Sequence, residues 1–180
     1  GESYRGTRHN IGFQFVDFLA EQERQTWKKE KRFKAEVAIC TISNQKILLA
    51  KPQTFVNDSG QSLSSLMRYH RWQSSSIVVV HDEINLPLGE VKLTDCGGPG
   101  GHNGMASILQ CGGQGVLRLR LGIGHKNHPG MDLKDHVLGR FSADDLQLVQ
   151  SKMEQWVEAV QLIVDKGPAK AMNCINRKSN

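Results

Sequence analysis

Four separated segments of the chain carry side chains capable of acid–base and carbonyl chemistry. Thr7-Arg8-His9-Asn10 stands directly ahead of an apolar-periodic run. A histidine at a helix start meets unsatisfied N–H groups and the positive dipole end, which favour the neutral, proton-accepting ring and predict a lowered pKa. The same histidine also reads as a cap or a packed ring. Val78-Val79-Val80-His81-Asp82-Glu83 ends a β-branched run in three ionisable groups. Ligands of open α/β sheets gather beyond such strand ends. A carboxylate there can accept the His9 ring N–H, fix its tautomer and stabilise an imidazolium, or Asp82 can simply begin the turn before Leu86-Pro87.

Two further loops offer amides and mobility. Gly97 to Gly104 includes His102 and Asn103, and so many glycines let backbone approach a ligand closely. It lacks the Gly-Lys-Ser/Thr ending of a phosphate loop, so it reads as a gate or as a plain glycine-rich connection. Lys51-Pro52-Gln53-Thr54-Phe55-Val56-Asn57 also follows a strand, and its Asn57, like Asn103, can both donate and accept. No metal-ligand spacing emerges from the seven histidines, His125 and His128 being insufficient alone. No G-x-S-x-G elbow supplies a serine nucleophile.

The elements that must position these loops read as one α/β domain. A helix is expected over 11–30, with Phe13, Val16, Leu19 and Ala20 on its apolar face, followed by the basic run Lys28, Lys29, Lys31, Arg32 and Lys34. Strands are expected over 35–41 and 47–50 around a Ser43-Asn44 turn, then a helix over 61–69 with Leu63, Leu66 and Met67 inward. Residues 77–80 read as a strand buried on both faces. Strands over 90–93 and 116–123 bracket a short helix ending near Ile108. Ser142, as N-cap with Asp144 and Asp145 in the first turn, opens a helix carrying Leu146, Val149, Met153, Trp156, Val160 and Ile163, which Gly167 and Pro168 stop. The alternation predicts a three-layer fold, a central mixed and largely parallel twisted sheet flanked by helices.

Composition narrows the class. The chain has 180 residues, 38% hydrophobic and 23% charged, which suits one domain with a real core and excludes wholesale disorder. No run approaches the roughly 18–20 apolar residues of a membrane span. Four scattered cysteines without a C-x-x-C pair point to free thiols in a reducing compartment: cytoplasm, or a mitochondrial or plastid matrix. The net charge of +5 suits a polyanionic partner.

Six motifs in order give the chain a resemblance to the bacterial-type peptidyl-tRNA hydrolase family over nearly its whole length. They are Tyr4-x-x-Thr7-Arg8-His9-Asn10-x-Gly12; Lys51-Pro52-Gln53-Thr54-Phe55-x-Asn57; His81-Asp82-Glu83 with Leu86-Pro87-Leu88-Gly89; Gly100-Gly101-His102-Asn103-Gly104; Arg118-Leu119-Arg120-x-Gly122-Ile123-Gly124; and Val137-Leu138-Gly139-x-Phe141. The resemblance implies that His9 is the catalytic base and Asp82 the carboxylate behind it. It implies that Asn57 and Asn103 hold the substrate's 3′ end and the attacking water, that Tyr4 and Phe55 contact tRNA, and that Asn10 and His102 lie beside the site. Lys92 and Arg120 match a basic pair that grips the tRNA 5′-phosphate. It implies ester hydrolysis of peptidyl-tRNA with no cofactor and no metal; a monomer is the default expectation. The family's opening strand and Gly-x-x-Asn-Pro-Gly turn are represented here only by Gly1, so residues 1–180 are expected to form a single domain without that strand. Val56 stands where the family usually has Met, and Asn85 where Asp is frequent. A catalytically inactive relative that binds or processes RNA is the alternative reading.

Overall fold

The computed structural model describes residues 4–126 and 130–177; Gly1 and His128 lie outside the described residues. The first helix, α1 (Ile11–Gln22), is shorter than its sequence predicts. Its apolar stripe ends at Ala20, Arg24 turns left-handed at φ 51°, and Lys28–Glu30 leaves as a short strand, β1. With no apolar face beyond residue 20, backbone pairing to a later strand wins over continued helix. The buried face is also rotated from the expected one. Ile11, Phe15, Leu19 and Ala20 are buried, while Phe13 and Val16 are only partly so.

β1 pairs antiparallel with β2 (Ala35–Ile42), which forms a hairpin with β3 (Gln45–Pro52). Ser43 and Asn44 both take positive φ at the turn, the backbone twist that suits a two-residue hairpin. α2 (Ser59–His70) follows, with Leu63 and Leu66 buried and Met67 half-buried. The second sheet holds β4 (Val78–Glu83), β5 (Val91–Thr94) and β6 (Leu117–Gly122) in the order β4-β6-β5. Between β5 and β6 lies α3 (Asn103–Gln110).

The α/β class, mixed strand pairing and flanking helices are present as the sequence predicts. The largely parallel character is not. β4 and β6 run parallel, whereas β1–β2, β2–β3 and β5–β6 are antiparallel: the connections after β1 and β2 are too short for a parallel crossover, and the short connection after β4 reverses β5 against both β4 and its parallel neighbour β6. β4 is an edge strand of its described sheet, so Val78 to His81 are half-buried rather than buried on both faces.

Alternation along β4 and β6 sorts their side chains into two layers. Val78, Val80, Leu117, Leu119 and Leu121 join the main core with α1. Val79 and Val116 pack with Leu63 of α2 and Met105 and Ile108 of α3. A short helix, α4 (Leu133–Leu138), precedes α5 (Ala143–Lys166), whose Ser142 and Asp145 form a reciprocal capping box. Trp156 of α5 is fully buried, edge-on to Phe15 at 5.8 Å, and its indole N–H donates to the Gly89 carbonyl at 3.2 Å. Pro168 does not only stop α5. It opens a further helix, α6 (Pro168–Arg177), since proline suits a first helical position where no N–H is needed. Asn176 of α6 pairs with both the N–H and C=O of Leu93, satisfying backbone groups of edge strand β5.

Gly12 seats α1 on β4. A Cβ there would lie 2.7 Å from the Val80 carbonyl oxygen. Gly12→Ala is therefore expected to destabilise the fold by about 1–3 kcal/mol through overpacking, read from the denaturant midpoint. An unchanged midpoint would contradict this seating.

Candidate active site

His9 lies in a 3-10 turn, Arg8–Asn10, that feeds α1. That turn is held from behind by the segment leading into α5. Thr7 bridges Arg140, the Arg8 N–H donates to the Gly139 carbonyl at 2.9 Å, and the Arg8 guanidinium donates to the Arg140 carbonyl at 2.8 Å. The same guanidinium lies 5.3 Å over the Phe141 ring and 3.4 Å from Asp145. The Val137-to-Phe141 motif thus acts as a buttress for the histidine turn.

Asp82, near the carboxyl end of β4, is 7% exposed. Its Oδ1 accepts from two imidazoles, His9 Nδ1 at 2.9 Å and His102 Nε2 at 3.1 Å. His102 is the N-cap of α3, and its Nδ1 accepts from the Met105 N–H at 3.2 Å, so its proton sits on Nε2. Since His9 donates from Nδ1 to Asp82, its Nε2 keeps the lone pair. A ring held in this tautomer by a carboxylate can take a proton from water.

Burial alone would raise the Asp82 pKa, but the hydrogen bonds from His102 and His9 outweigh it and hold the carboxyl well below the ordinary carboxylate range. The expectation of a lowered His9 pKa is overturned. The bond to Asp82 raises it above the ordinary 6.5, against desolvation, because a buried carboxylate at contact distance outweighs the partial charge of a helix end. His81, beside Asp82, donates from Nδ1 to the Asp82 carbonyl at 2.7 Å and meets the His102 ring edge-on at 4.9 Å. Burial, then the neighbouring His102, pushes its pKa down to about 4, so His81 stays neutral at neutral pH. The sequence reading gave it no role.

The two amides stand next to this cluster by element. Asn103 is the first residue of α3, directly after His102. Asn57 lies in the 3-10 turn Val56–Asp58, which packs on α3 and leads into α2. The Val56 side chain closes on the start of α3, its Cγ2 lying 3.1 Å from where a Gly104 Cβ would stand. The Gly60 N–H donates to Ser107 Oγ at 3.0 Å, tying α2 to α3. Both asparagines are exposed, and among the described residues neither amide is occupied by a side-chain hydrogen bond. Tyr4, 40% exposed, stands edge-on to His9 at 6.5 Å, and Phe55 is 80% exposed. Asn10 is half-buried in the histidine turn.

Lys92 and Arg120 are cross-strand partners on β5 and β6, so their side chains leave one face together. Arg120 is already engaged, its Nε and Nη2 donating to Glu83 Oε2 at 3.0 and 2.6 Å. Asn85 occupies the other carboxylate oxygen, donating its backbone N–H and its amide to Oε1, each at 2.9 Å. An Asp at 85 could not make the second of these bonds. The sequence names Glu83 among the ionisable groups at the strand end but gives it no role, and its place beside Arg120 follows only from strand register. Arg118 was likewise unassigned. It donates to the carbonyls of Gly97 and Gly98, anchoring one end of the glycine-rich loop. Lys51 serves structure, bonded to Asp17 at 2.6 Å and lying 4.0 Å over Trp27.

One ligand atom each from His9, Asp82 and His102 lies within 4.8 Å of the others, a spacing compatible with a metal ion. The two imidazole N–H groups already converge on Asp82 Oδ1, so binding a metal there would require surrendering both hydrogen bonds.

Comparison with known proteins gives a consistent picture. A sequence model described as Peptidyl-tRNA hydrolase matches residues 1–180. A peptidyl-tRNA hydrolase of Thermosynechococcus vestitus is 39% identical over 99% of this chain and 90% of its own length. One of Synechocystis is 39% identical over 97% and 90%. A crystal structure of peptidyl-tRNA hydrolase from Acinetobacter baumannii superposes with a TM-score of 0.89 at 34% identity, covering 98% of this chain and 89% of that one.

Because His9 has a raised pKa, its attraction to Asp82 adds stability at low pH and loses it as pH rises through the folded-state value. Asp82 remains ionised across that range. The stability lost on Asp82→Asn is therefore expected to grow as pH falls from 8 to 5, measured by chemical unfolding. A loss independent of pH would contradict the ion pair.

Proposed function

The chain belongs to the peptidyl-tRNA hydrolase family and is an ester-bond hydrolase acting on peptidyl-tRNA, and on that premise we propose how its own residues carry out the reaction. His9 Nε2 takes a proton from a water as that water attacks the carbonyl carbon of the ester between peptide and ribose. Asp82 stabilises the imidazolium formed, while His102 shares the same carboxylate oxygen. The amide of Asn57 or Asn103 donates to the developing oxyanion, an interaction typically contributing a few kcal/mol. On collapse, the imidazolium returns its proton to the departing ribose oxygen, giving free peptide and free tRNA.

The tRNA end is held by contacts of a different kind. Exposed Tyr4 and Phe55 offer ring faces to unpaired nucleotides of the acceptor end. Asn10 helps shape the histidine turn. Lys92 and the remaining guanidinium donors of Arg120 receive the 5′-phosphate, with Glu83 fixing the orientation of Arg120. The protein acts as a monomer in the cytoplasm, and its four free cysteines support the reducing compartment. Among the described residues no helix is long and apolar enough to cross a membrane. The relatives named above are all called by the enzyme's name, so the alternative of an RNA-binding factor without activity is not favoured.

The observation that carries the mechanism is the 2.9 Å contact from His9 Nδ1 to Asp82, which leaves Nε2 as the base. His9→Ala is expected to lower kcat on an N-blocked aminoacyl-tRNA by about 10²–10⁴, with tRNA affinity largely retained. Near wild-type turnover would remove His9 from the role. In Asp82→Asn, the residual activity should show its acidic limb at lower pH, because the imidazolium has lost its partner and deprotonates more readily. Exhaustive chelation should leave the rate unchanged. A loss restored by a divalent cation would instead put a metal among His9, Asp82 and His102.

A further inference from the structure

The basic run that follows α1 has no part in this chemistry, yet the fold brings it against a second basic segment. Residues 28–34 form edge strand β1 and the 3-10 turn Lys31–Phe33, which packs on α2 near its C-terminal end, where residues 68–72 follow. Together the two segments display seven exposed cations, Lys28, Lys29, Lys31, Arg32, Lys34, Arg68 and Arg71, against one carboxylate, Glu30. Their local charge of +6 exceeds the +5 of the whole chain, so the protein's entire cationic excess is gathered here.

Aromatic rings are set among these charges. Phe33 is buried as a floor, and Tyr69 meets it at 5.3 Å while remaining 58% exposed. The Arg32 guanidinium lies 4.9 Å over the Tyr69 ring. His70 stacks on Trp72 at 4.3 Å and 14°, and Trp72 is 36% exposed. A solvated face of lysines would be unremarkable alone. Exposed rings pre-set among guanidinium groups add flat surfaces on which a base can stack, which neither an acidic protein nor a lipid headgroup uses in the same way. The 12 residues of α2 set the Tyr69–Trp72 end of this patch about 18 Å, by helix rise, from the turn holding Asn57, whereas Lys34 at its other end donates to Gln61 at 2.8 Å.

We propose that this patch is a second RNA-binding surface, separate from the catalytic cleft. It takes a stretch of unpaired nucleotides, with phosphates on the Lys28–Arg32 run and Arg71 and bases stacked on Tyr69 and Trp72. The proposal does not depend on His9 being the base, since the surface binds RNA whether or not the ester is cut.

The test measures fluorescence anisotropy of a labelled short oligouridine and of deacylated tRNA over a range of salt concentrations. The double variant Arg32→Glu/Arg71→Glu is expected to bind the oligomer at least about tenfold more weakly, with the slope of log affinity against log salt reduced by roughly one to two. Tyr69→Ala should weaken it by about tenfold with the slope unchanged, as for loss of one stacked base. Both variants should hydrolyse an N-blocked aminoacyl ester on a short acceptor-end oligonucleotide at the wild-type kcat, separating this surface from the catalytic site. In the unsubstituted protein, oligouridine should shift the backbone amide resonances of Lys31, Tyr69 and Trp72, a reading independent of how the variants fold. Absence of those shifts, or wild-type affinity in both variants, overturns the proposal. So does equal binding of phosphatidylserine vesicles or polyglutamate that ignores Tyr69→Ala, which would mark a general anion surface.

Discussion

A carboxylate withdrawn from water and shared by two imidazoles is the interaction on which the site depends. Removing Asp82 from solvent is costly unless its charge is met, and two N–H donors on one oxygen meet it. Each donor comes from a different part of the chain, His9 from the turn before α1 and His102 from the cap of α3. The carboxylate therefore fixes geometry as well as charge. It holds both rings in defined tautomers, and the helix N–H of Met105 fixes the second one independently.

The surrounding structure keeps that junction closed. Gly12 lets α1 lie against β4, so a residue three positions earlier meets the end of the strand. Arg8, spread over Phe141 and bonded to Arg140, braces the turn from the opposite side. Arg118, rising from β6, holds the start of the glycine-rich loop that ends in His102. Helix and strand ends carry His9, Asp82 and His102, whereas the amides of Asn57 and Asn103 and the rings of Tyr4 and Phe55 are exposed to solvent. On the far face of the same sheet, Glu83 is fully used by Asn85 and Arg120, fixing one cation of the basic pair.

What could be read from sequence was what local chemistry dictates. The α5 helix was legible because an N-cap and an apolar stripe are properties of neighbouring residues, although Leu146 of that stripe is 40% exposed and Val160 only half-buried. The hairpin turn at Ser43-Asn44 was legible for the same reason. β1 was not, because Lys28-Lys29-Glu30 has no strand pattern and becomes one only by pairing with Ala35 to Val37. α6 was hidden because Pro168 signals a helix end and a helix start equally well. The excess of parallel pairing assumed for the sheet failed because strand direction is set by connections and partners, not by composition. Among site residues, His9 and Asp82 and a bond between them were suggested by type and position, but only the resemblance to a family decided between that bond and a plain turn role for Asp82. The second donor on Asp82, and the Glu83–Arg120 pair, depend on where strand ends fall in space. The His9 pKa shift has the opposite sign from the sequence expectation for the same reason: a nearby helix end is visible in sequence, the distance to a carboxylate is not.

The central claim is most directly tested by ¹⁵N NMR of the histidine side chains across pH. The neutral His9 ring is expected to carry its proton on Nδ1, with a bare Nε2 and a midpoint above 6.5 that falls when Asp82 is replaced by Asn. A His9 ring protonated at Nε2, or one whose titration ignores residue 82, would contradict it.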